Sequence, residues 1–420
     1  MGAGAARGPA GGRGAAATVS GPQAARAGAP VPVVHVITLL ELGGAQQNTL
    51  YTCAHLDRAR YAPVLACGPG GYLDDEARSL PGVPVHFVSS LVRPVRPHLD
   101  AAALAALVRL MRRLRPAIVH THSSKAGILG RWAAWMAGVP RVVHSIHGFG
   151  FHDGQNPAVR GAYVAAERAV SGLTDAFIAV SHANREEGIA RGIFTAEKCR
   201  VIRSGVDLSR YRAAGERRGE LRRELGLAPE DPLVGMIACL KPQKAPADFV
   251  EVARRVLAVE PRATFVLAGD GELRGEVETR IAQVPQGAER IRLLGWRRDT
   301  DRIVADLDVL LLTSRWEGLP RVLPEAMASG LPIVATAVNG SPEAVVEGET
   351  GHLAPAGDVA LLASRVVELL RDPEKRRRMG EAGRVRSAEW DIDAMVRAQE
   401  ALYESLLSEP SRASVATAAR

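Results

Sequence analysis

Cysteine is scarce and scattered in this sequence: its four thiols are Cys53, Cys67, Cys199 and Cys239, and no two stand in Cys-x-x-Cys spacing. That excludes a cysteine-based zinc site and a disulfide framework, and it fits a reducing compartment. Aromatic residues make up only 4%. With no helix-turn-helix, zinc-finger or aromatic RNA-binding strand pattern, nucleic acid is not an expected partner. No apolar run reaches the roughly 20 residues of a spanning helix. Residues 1–30, dominated by Ala, Gly, Arg and Pro, lack the apolar core of a signal peptide. The sequence therefore predicts a cytoplasmic protein with a disordered leader over 1–30 and a disordered polar tail over 409–420.

What is present is enough apolar material for two cores. At 420 residues and 47% hydrophobic content, the chain is too long for one ordinary core and suits two domains of about 150–200 residues. The net charge of +7, with basic clusters at Arg109–Arg115, Arg217–Arg223 and Lys375–Arg378, suits anionic substrates or an anionic membrane surface as well as plain solvated helix faces.

Short apolar strands alternate with amphipathic helices twice over, which predicts an α/β chain of two Rossmann-like domains. The first run opens with the Val31–Leu40 strand, a glycine turn at Gly43 and Gly44, and a helix from Gln47 to Leu56. Two later strand ends deliver polar clusters: His120, His122, Ser123 and Lys125 from one, His144 and His147 from the other. Their spacing lacks the His-Glu-x-x-His and Cys/His forms of zinc sites, so hydrogen bonding is the expected role and no metal is assigned. The glycine turn is not Gly-x-Gly-x-x-Gly, which argues against a nicotinamide oxidoreductase.

The second run restarts at Leu233–Ala238, just before Lys241 and Lys244, where two ammonium groups can meet phosphate. A Gly269-Asp270-Gly271 turn follows the Thr264–Ala268 strand. An apolar run over Leu307–Leu312 then reads as a strand buried on both faces, with Glu317 and Gly318 just past its carboxyl end. In an open α/β sheet that edge is where ligands bind. A helix over Arg321–Ser329 places Glu325 near its start, beside backbone donors of the Gly318-Leu319-Pro320 loop that can face an anionic diphosphate.

Glu317-Gly-Leu-Pro, four residues and then Glu325 resembles the E-x7-E element of the retaining glycosyltransferases of family four, which have the GT-B fold of two facing Rossmann-like domains. Gly43-Gly44-Ala45-Gln46 is similar to that family's N-terminal glycine loop, His147-Gly148 to its acceptor-side histidine, Ser204-Gly205-Val206-Asp207 to the end of its first domain, and Gly269-Asp270-Gly271 to its base-side turn. The resemblance implies a disordered leader over 1–30, an acceptor-side domain over 31–205 and a nucleotide-sugar domain over 206–385. It implies a final helix within 386–408 packing back on the first domain, and a tail over 409–420. It further implies that Glu325 holds the ribose and that Glu317 and the Gly318, Leu319 and Pro320 backbone hold the transferred sugar. Lys244, Lys241 and Gly44 would meet the diphosphate, Gly269 and Gly271 would lie near the base, and Gly43, His122, Lys125 and His147 would face the acceptor.

His147, Glu317 and Lys244 are the residues expected to act directly, without a metal or other cofactor. Where the family usually carries an arginine five residues before its phosphate lysine, this chain has Cys239, and Lys241 is no equivalent of a bidentate guanidinium. The His122–Gly127 segment is similar to members that extend polyprenyl-diphosphate-linked glycans for exopolysaccharide or capsule, which makes the basic helix Leu99–Leu114 a candidate for peripheral contact with the inner leaflet. The implied reaction moves a hexosyl or N-acetylhexosaminyl unit from a nucleotide-sugar, expected to be a UDP-sugar, to a glycan or lipid-linked acceptor. The competing readings are a nucleotide-sugar 2-epimerase of the same fold and a non-catalytic nucleotide-sugar binding protein.

Overall fold

A computed structural model describes residues 29–152 and 154–409. The leader and tail expected over 1–30 and 409–420 lie outside the described residues except at 29, 30 and 409. Among the described residues thirteen strands form two sheets, with every strand pairing parallel. The first holds β1 (Val31–Leu39), β2 (Tyr61–Gly68), β3 (Val85–Phe87), β4 (Ile118–His122), β5 (Arg141–Ile146), β6 (Ala176–Ala179) and β7 (Cys199–Val201), in the order 3-2-1-4-5-6-7. The second holds β8 (Leu233–Ile237), β9 (Thr264–Ala268), β10 (Ile291–Gly295), β11 (Val309–Leu312), β12 (Ile333–Thr336) and β13 (Gly351–Ala354), in the order 10-9-8-11-12-13. Strand order reverses between β1 and β4 in one sheet and between β8 and β11 in the other, and such switch points open a crevice at the carboxyl edge.

The central strands are buried because helices cover both sheet faces, which is why they read as near-continuous apolar runs. The expected strand over Leu307–Leu312 is a correction. Asp308 interrupts the run, and the strand starts only at Val309. Asp308 is turned to other work: its carboxylate accepts from the Arg222 guanidinium at 2.8 Å and from the Leu233 amide at 2.9 Å. Asp306, fully buried, accepts from the Leu221 and Arg222 amides at 2.6 and 3.1 Å. These two aspartates tie the connection between the domains to the second sheet.

The final helix, Ile392–Ser408, leaves the second domain and packs on the first. Its Met395, Val396, Tyr403 and Leu406 share one core with Val33, Tyr61, Ile118 and Ile178. Gly205 makes the crossing possible, since a Cβ there would stand 2.5 Å from the Ile392 backbone. Among the described residues no helix is long and apolar enough to cross a membrane.

Candidate active site

The loops after β1, β5, β8 and β11 line one cleft between the two domains, with a volume of about 1450 Å³. That exceeds the usual range of about 300–1000 Å³ for a single small ligand, so there is room for two substrates.

The second domain's wall is built on the end of β11. The Thr313 hydroxyl lies 3.0 Å from the carbonyls of both Lys244 and Ala245, which clamps the loop after β8 to the loop after β11. Glu317 follows. Its amide donates to the Asn339 side chain at 2.9 Å, its carboxylate accepts from Ser314 Oγ at 2.6 Å, and the Lys244 ammonium sits directly on it. Asn339 can reach in because it adopts a left-handed backbone, φ 41°, which asparagine tolerates better than most residues. Lys244 and Glu317 thus hold each other in place at the cleft wall.

Glu325 stands in the helix Val322–Ala328 and is buried at 8% exposure. Burial pushes its carboxyl above the usual range, while Arg321, a hydrogen bond from Tyr211 and the charge of Arg210 pull it back. The Glu325 side chain lines the cleft.

Across the cleft, Gly44 begins the helix Gly44–His55 and lies so close to Arg321 that an added Cβ would meet its Cδ at 2.8 Å. A Cβ on Gly318 would be 2.2 Å from the His147 carbonyl, so the Glu317–Pro320 loop of one domain touches the histidine loop of the other. His152 stacks on Trp316 with ring centroids 3.6 Å apart, a second bridge between domains at the same mouth.

His147 lines the cleft and is the outer member of a chain of imidazoles. Its Nε2 lies 3.1 Å from His122 Nδ1, and His122 Nε2 lies 3.1 Å from His35 Nδ1. Burial lowers His147 to about 4 and His35 to about 3, and holds His120, His122 and His144 far below the ordinary histidine value. All five are therefore neutral near pH 7, each with one donor and one acceptor nitrogen. His35, His120 and His122 bring nitrogens within 4.8 Å of one another. Those of His120 are taken by Tyr403 at 2.5 Å and Ser145 at 2.7 Å, and His35 and His122 bond to each other.

The structure brings Gly43, Gly44, His147, Lys244, Gly269, Glu317, Gly318, Leu319, Pro320 and Glu325 into the cleft wall. It keeps four expected residues out. Lys241 points to Glu41 at 3.4 Å, and Lys125 is drawn to Asp100 and the Pro94 carbonyl, both at 2.5 Å. His122 belongs to β4 and is buried behind His147, reaching the site only through it. Gly271 shapes the turn against Leu240, where a Cβ would be 2.6 Å from a carbonyl oxygen, and does not line the cleft. The two lysines are taken by nearer partners outside the cleft, His122 by its place in β4 and Gly271 by the turn it shapes. Sequence reasoning missed Arg321, Tyr211, Arg210 and Asn339; Arg321 lies inside the nine-residue element itself, where the two glutamates and the Gly318–Pro320 backbone were read and the arginine was not.

Comparison with known proteins fits this geometry. Residues 42–210 match the family described as Glycosyltransferase Family 4, and residues 217–386 match Glycosyl transferases group 1. The UDP-Gal:alpha-D-GlcNAc-diphosphoundecaprenol alpha-1,3-galactosyltransferase of Escherichia coli is 33% identical over 349 residues, covering 81% of this chain and 88% of its own. HepE of Anabaena, solved with UDP and glucose, superposes with a TM-score of 0.77 at 22% identity over 89% of this chain and all of that one (100%). WaaG, a glycosyltransferase involved in lipopolysaccharide biosynthesis, does so with 0.73 at 14% identity over 87% and 98%. Two parallel-sheet domains around a shared cleft, matched in each half and along most of a relative's length, make this chain a member of the family four glycosyltransferases with the GT-B fold, and a hexosyltransferase.

Proposed function

We propose that the protein moves a hexosyl or N-acetylhexosaminyl unit from a UDP-sugar to a polyprenyl-diphosphate-linked or other glycan acceptor in surface-polysaccharide biosynthesis, with retention of anomeric configuration. The observation that carries this is the convergence of Glu317, Lys244 and Glu325 on one wall with Gly44 and His147 on the other. The Escherichia coli relative is named for UDP-galactose and a GlcNAc-diphosphoundecaprenol acceptor, which supports both substrate classes.

In this reading Glu325 accepts from the ribose hydroxyls, and Glu317 with the Gly318, Leu319 and Pro320 backbone holds the sugar. Lys244 leaves Glu317 for the diphosphate, and Gly269 lies on the base side. The bond from the anomeric carbon to the β-phosphate oxygen breaks, and the electron pair stays on that oxygen. The acceptor oxygen bonds to the anomeric carbon from the same face and passes its proton to the departing phosphate. Lys244 stabilises the charge that grows there, so the reading needs no resident metal. Glu317 and Glu325 belong to one loop and helix on one domain, whereas a glycosidase pair flanks the scissile bond. His147, neutral and outermost in its chain, orients a hydroxyl of the donor sugar or acceptor.

Peripheral contact with the cytoplasmic leaflet belongs to the same proposal. On the helix Pro97–Leu114 and just after it, Arg109, Arg112, Arg113 and Arg115 are exposed, and Arg112 donates to the Met136 carbonyl at 3.1 Å. Trp135 is 60% exposed and Met136 is 44% exposed beside them, a basic and apolar pairing that suits an anionic interface.

The test incubates the protein with UDP-hexoses and UDP-N-acetylhexosamines and a short-chain GlcNAc-diphosphate lipid, and reads the product by NMR. An α-linked product from an α-configured donor is expected. A β-linked product contradicts retention, and epimerised hexose formed without acceptor supports the 2-epimerase instead, a reading no observation here favours.

A further inference from the structure

Position 239 in the cleft wall is a cysteine, and its thiol carries no charge to the diphosphate: burial raises it, and it faces the Leu42 carbonyl at 3.8 Å. Lys241 is spent on Glu41 outside the cleft. The wall does hold other guanidinium groups, and their commitments differ. Arg297 is held by Glu224 and Asp299, both at 2.7 Å, Arg315 by Asp248 at 2.6 Å, and Arg210 by Asp301. Arg298 lies over the Tyr72 ring.

Arg321 is placed otherwise. Its stem crosses the cleft to rest on Gly44, the glycine at the start of the helix Gly44–His55, and Nη1 donates to the Gln47 side chain on that helix. Its nearest carboxylate, Glu325, stands 3.7 Å from Nη2, beyond hydrogen-bond range, and Nε is buried without a partner. The side chain is only 13% exposed. A guanidinium this enclosed, with Nε unpaired, one N–H held by a neutral amide and its carboxylate partner 3.7 Å away, is less fully committed than its neighbours, and an unmet buried donor is costly. The space beside it is bounded by the Gly44 amide and the Glu317–Glu325 loop. Guanidinium geometry favours two-point contact with a phosphate.

Resting on the donor reading above, we propose that Arg321 supplies the guanidinium of the diphosphate subsite in this chain, exchanging its contact with Gln47 for the phosphate oxygens, so that the Glu317–Glu325 element holds both the ribose and the leaving group. Arg321 is then a catalytic contact for charge developing on the β-phosphate, and Gln47 is the partner that holds it ready.

The experiment is calorimetric binding of UDP and of uridine to the full-length wild type, R321A, R321K and the double variant R321A/C239R. Loss of one charge-assisted phosphate contact should weaken UDP binding by about 10- to 100-fold in R321A. Uridine binding should stay within about twofold, since it carries no phosphate for the guanidinium to meet. R321K should recover part of the loss, and adding C239R should recover more by returning a guanidinium to the same wall. UDP binding unchanged in R321A overturns the proposal. So does equal weakening of UDP and uridine, which would mean that Arg321 serves Glu325 or the fold. A wild-type protein that binds neither UDP nor any other nucleoside diphosphate refutes the donor reading itself.

Discussion

The two walls of the cleft solve the same problem, keeping polar groups inside a protein, in opposite ways. On the second domain the groups are charged and matched: Lys244 sits on Glu317, and Arg321, Arg210 and Tyr211 counter the burial of Glu325. On the first domain His35, His120, His122 and His144 are buried and His147 is half-buried, with no acid beside them, and burial, aided by neighbouring imidazoles and by Arg131 beside His144, holds them neutral. The difference assigns the labour. In the proposed reaction, charged side chains that can meet a leaving diphosphate stand on the second wall, and the first offers the Gly44 amide and imidazole hydrogen bonds whose strength does not depend on protonation near pH 7.

The largest effects should come from breaking the charged wall. Lys244→Ala should lower kcat by about 100- to 1000-fold, the range for losing a donor that acts on transition-state charge, and Glu325→Ala should lower kcat/KM by about 100-fold through the ribose contacts it loses, both measured as initial rates. The fold should survive both. Lys244→Ala leaves Glu317 without its cation and should cost about 1.5–3 kcal/mol in denaturant unfolding. The double variant Lys244→Met with Glu317→Gln should regain most of that stability while staying inactive. Recovery of activity along with stability would mean that the pair is structural.

The neutral wall should give a smaller loss with a different signature. His147→Ala should lower kcat/KM by about 10- to 100-fold, as for one oriented hydrogen bond in a closed site. The wild-type pH profile should show no inflection near 6.5, because burial lowers His147 to about 4. An inflection near 6.5 that disappears in His147→Ala would show that the imidazole works as a charged group.

Stability should also depend on pH through this wall. The folded histidines have lowered values, so between about pH 6.5 and pH 4 the unfolded chain binds protons that the folded chain refuses. Stability is then fully present above the unfolded value and is lost as pH falls through that window, by up to about 1.4 kcal/mol per pH unit for each histidine. Thermal unfolding scanned from pH 7.5 to 4.5 should show this fall, and a flat Tm would contradict the neutral assignment. The smallest effect should be that of Lys125→Ala, whose ammonium is occupied by Asp100 and the Pro94 carbonyl away from the cleft. Its kcat/KM should change by less than about threefold, as for pairs worth about 0–1 kcal/mol.

The same contrast explains what was legible in the sequence. The fold and the charged wall were visible because their determinants are local: short apolar strands, glycines at strand ends, and two glutamates in the loop and helix that follow β11. Where the sequence misled, a distant side chain intervened. Nothing near Lys241 announces Glu41, 200 residues earlier, and Asp308 hides within an apolar run because its partner is Arg222. His122 looked like a strand-end ligand, but β4 continues through it and seals it behind His147. Arg321 was in plain view, yet only the approach of Gly44 and Gln47 from the other domain reveals its position.

The most direct measurement is a crystal structure of the protein soaked with UDP. The account predicts UDP in the interdomain cleft, its ribose hydroxyls within hydrogen-bond distance of Glu325 and its β-phosphate within reach of Lys244 and the Gly44 amide. UDP bound outside the cleft, or with its diphosphate turned away from Lys244 and toward solvent, would contradict the division between a charged wall and a neutral one.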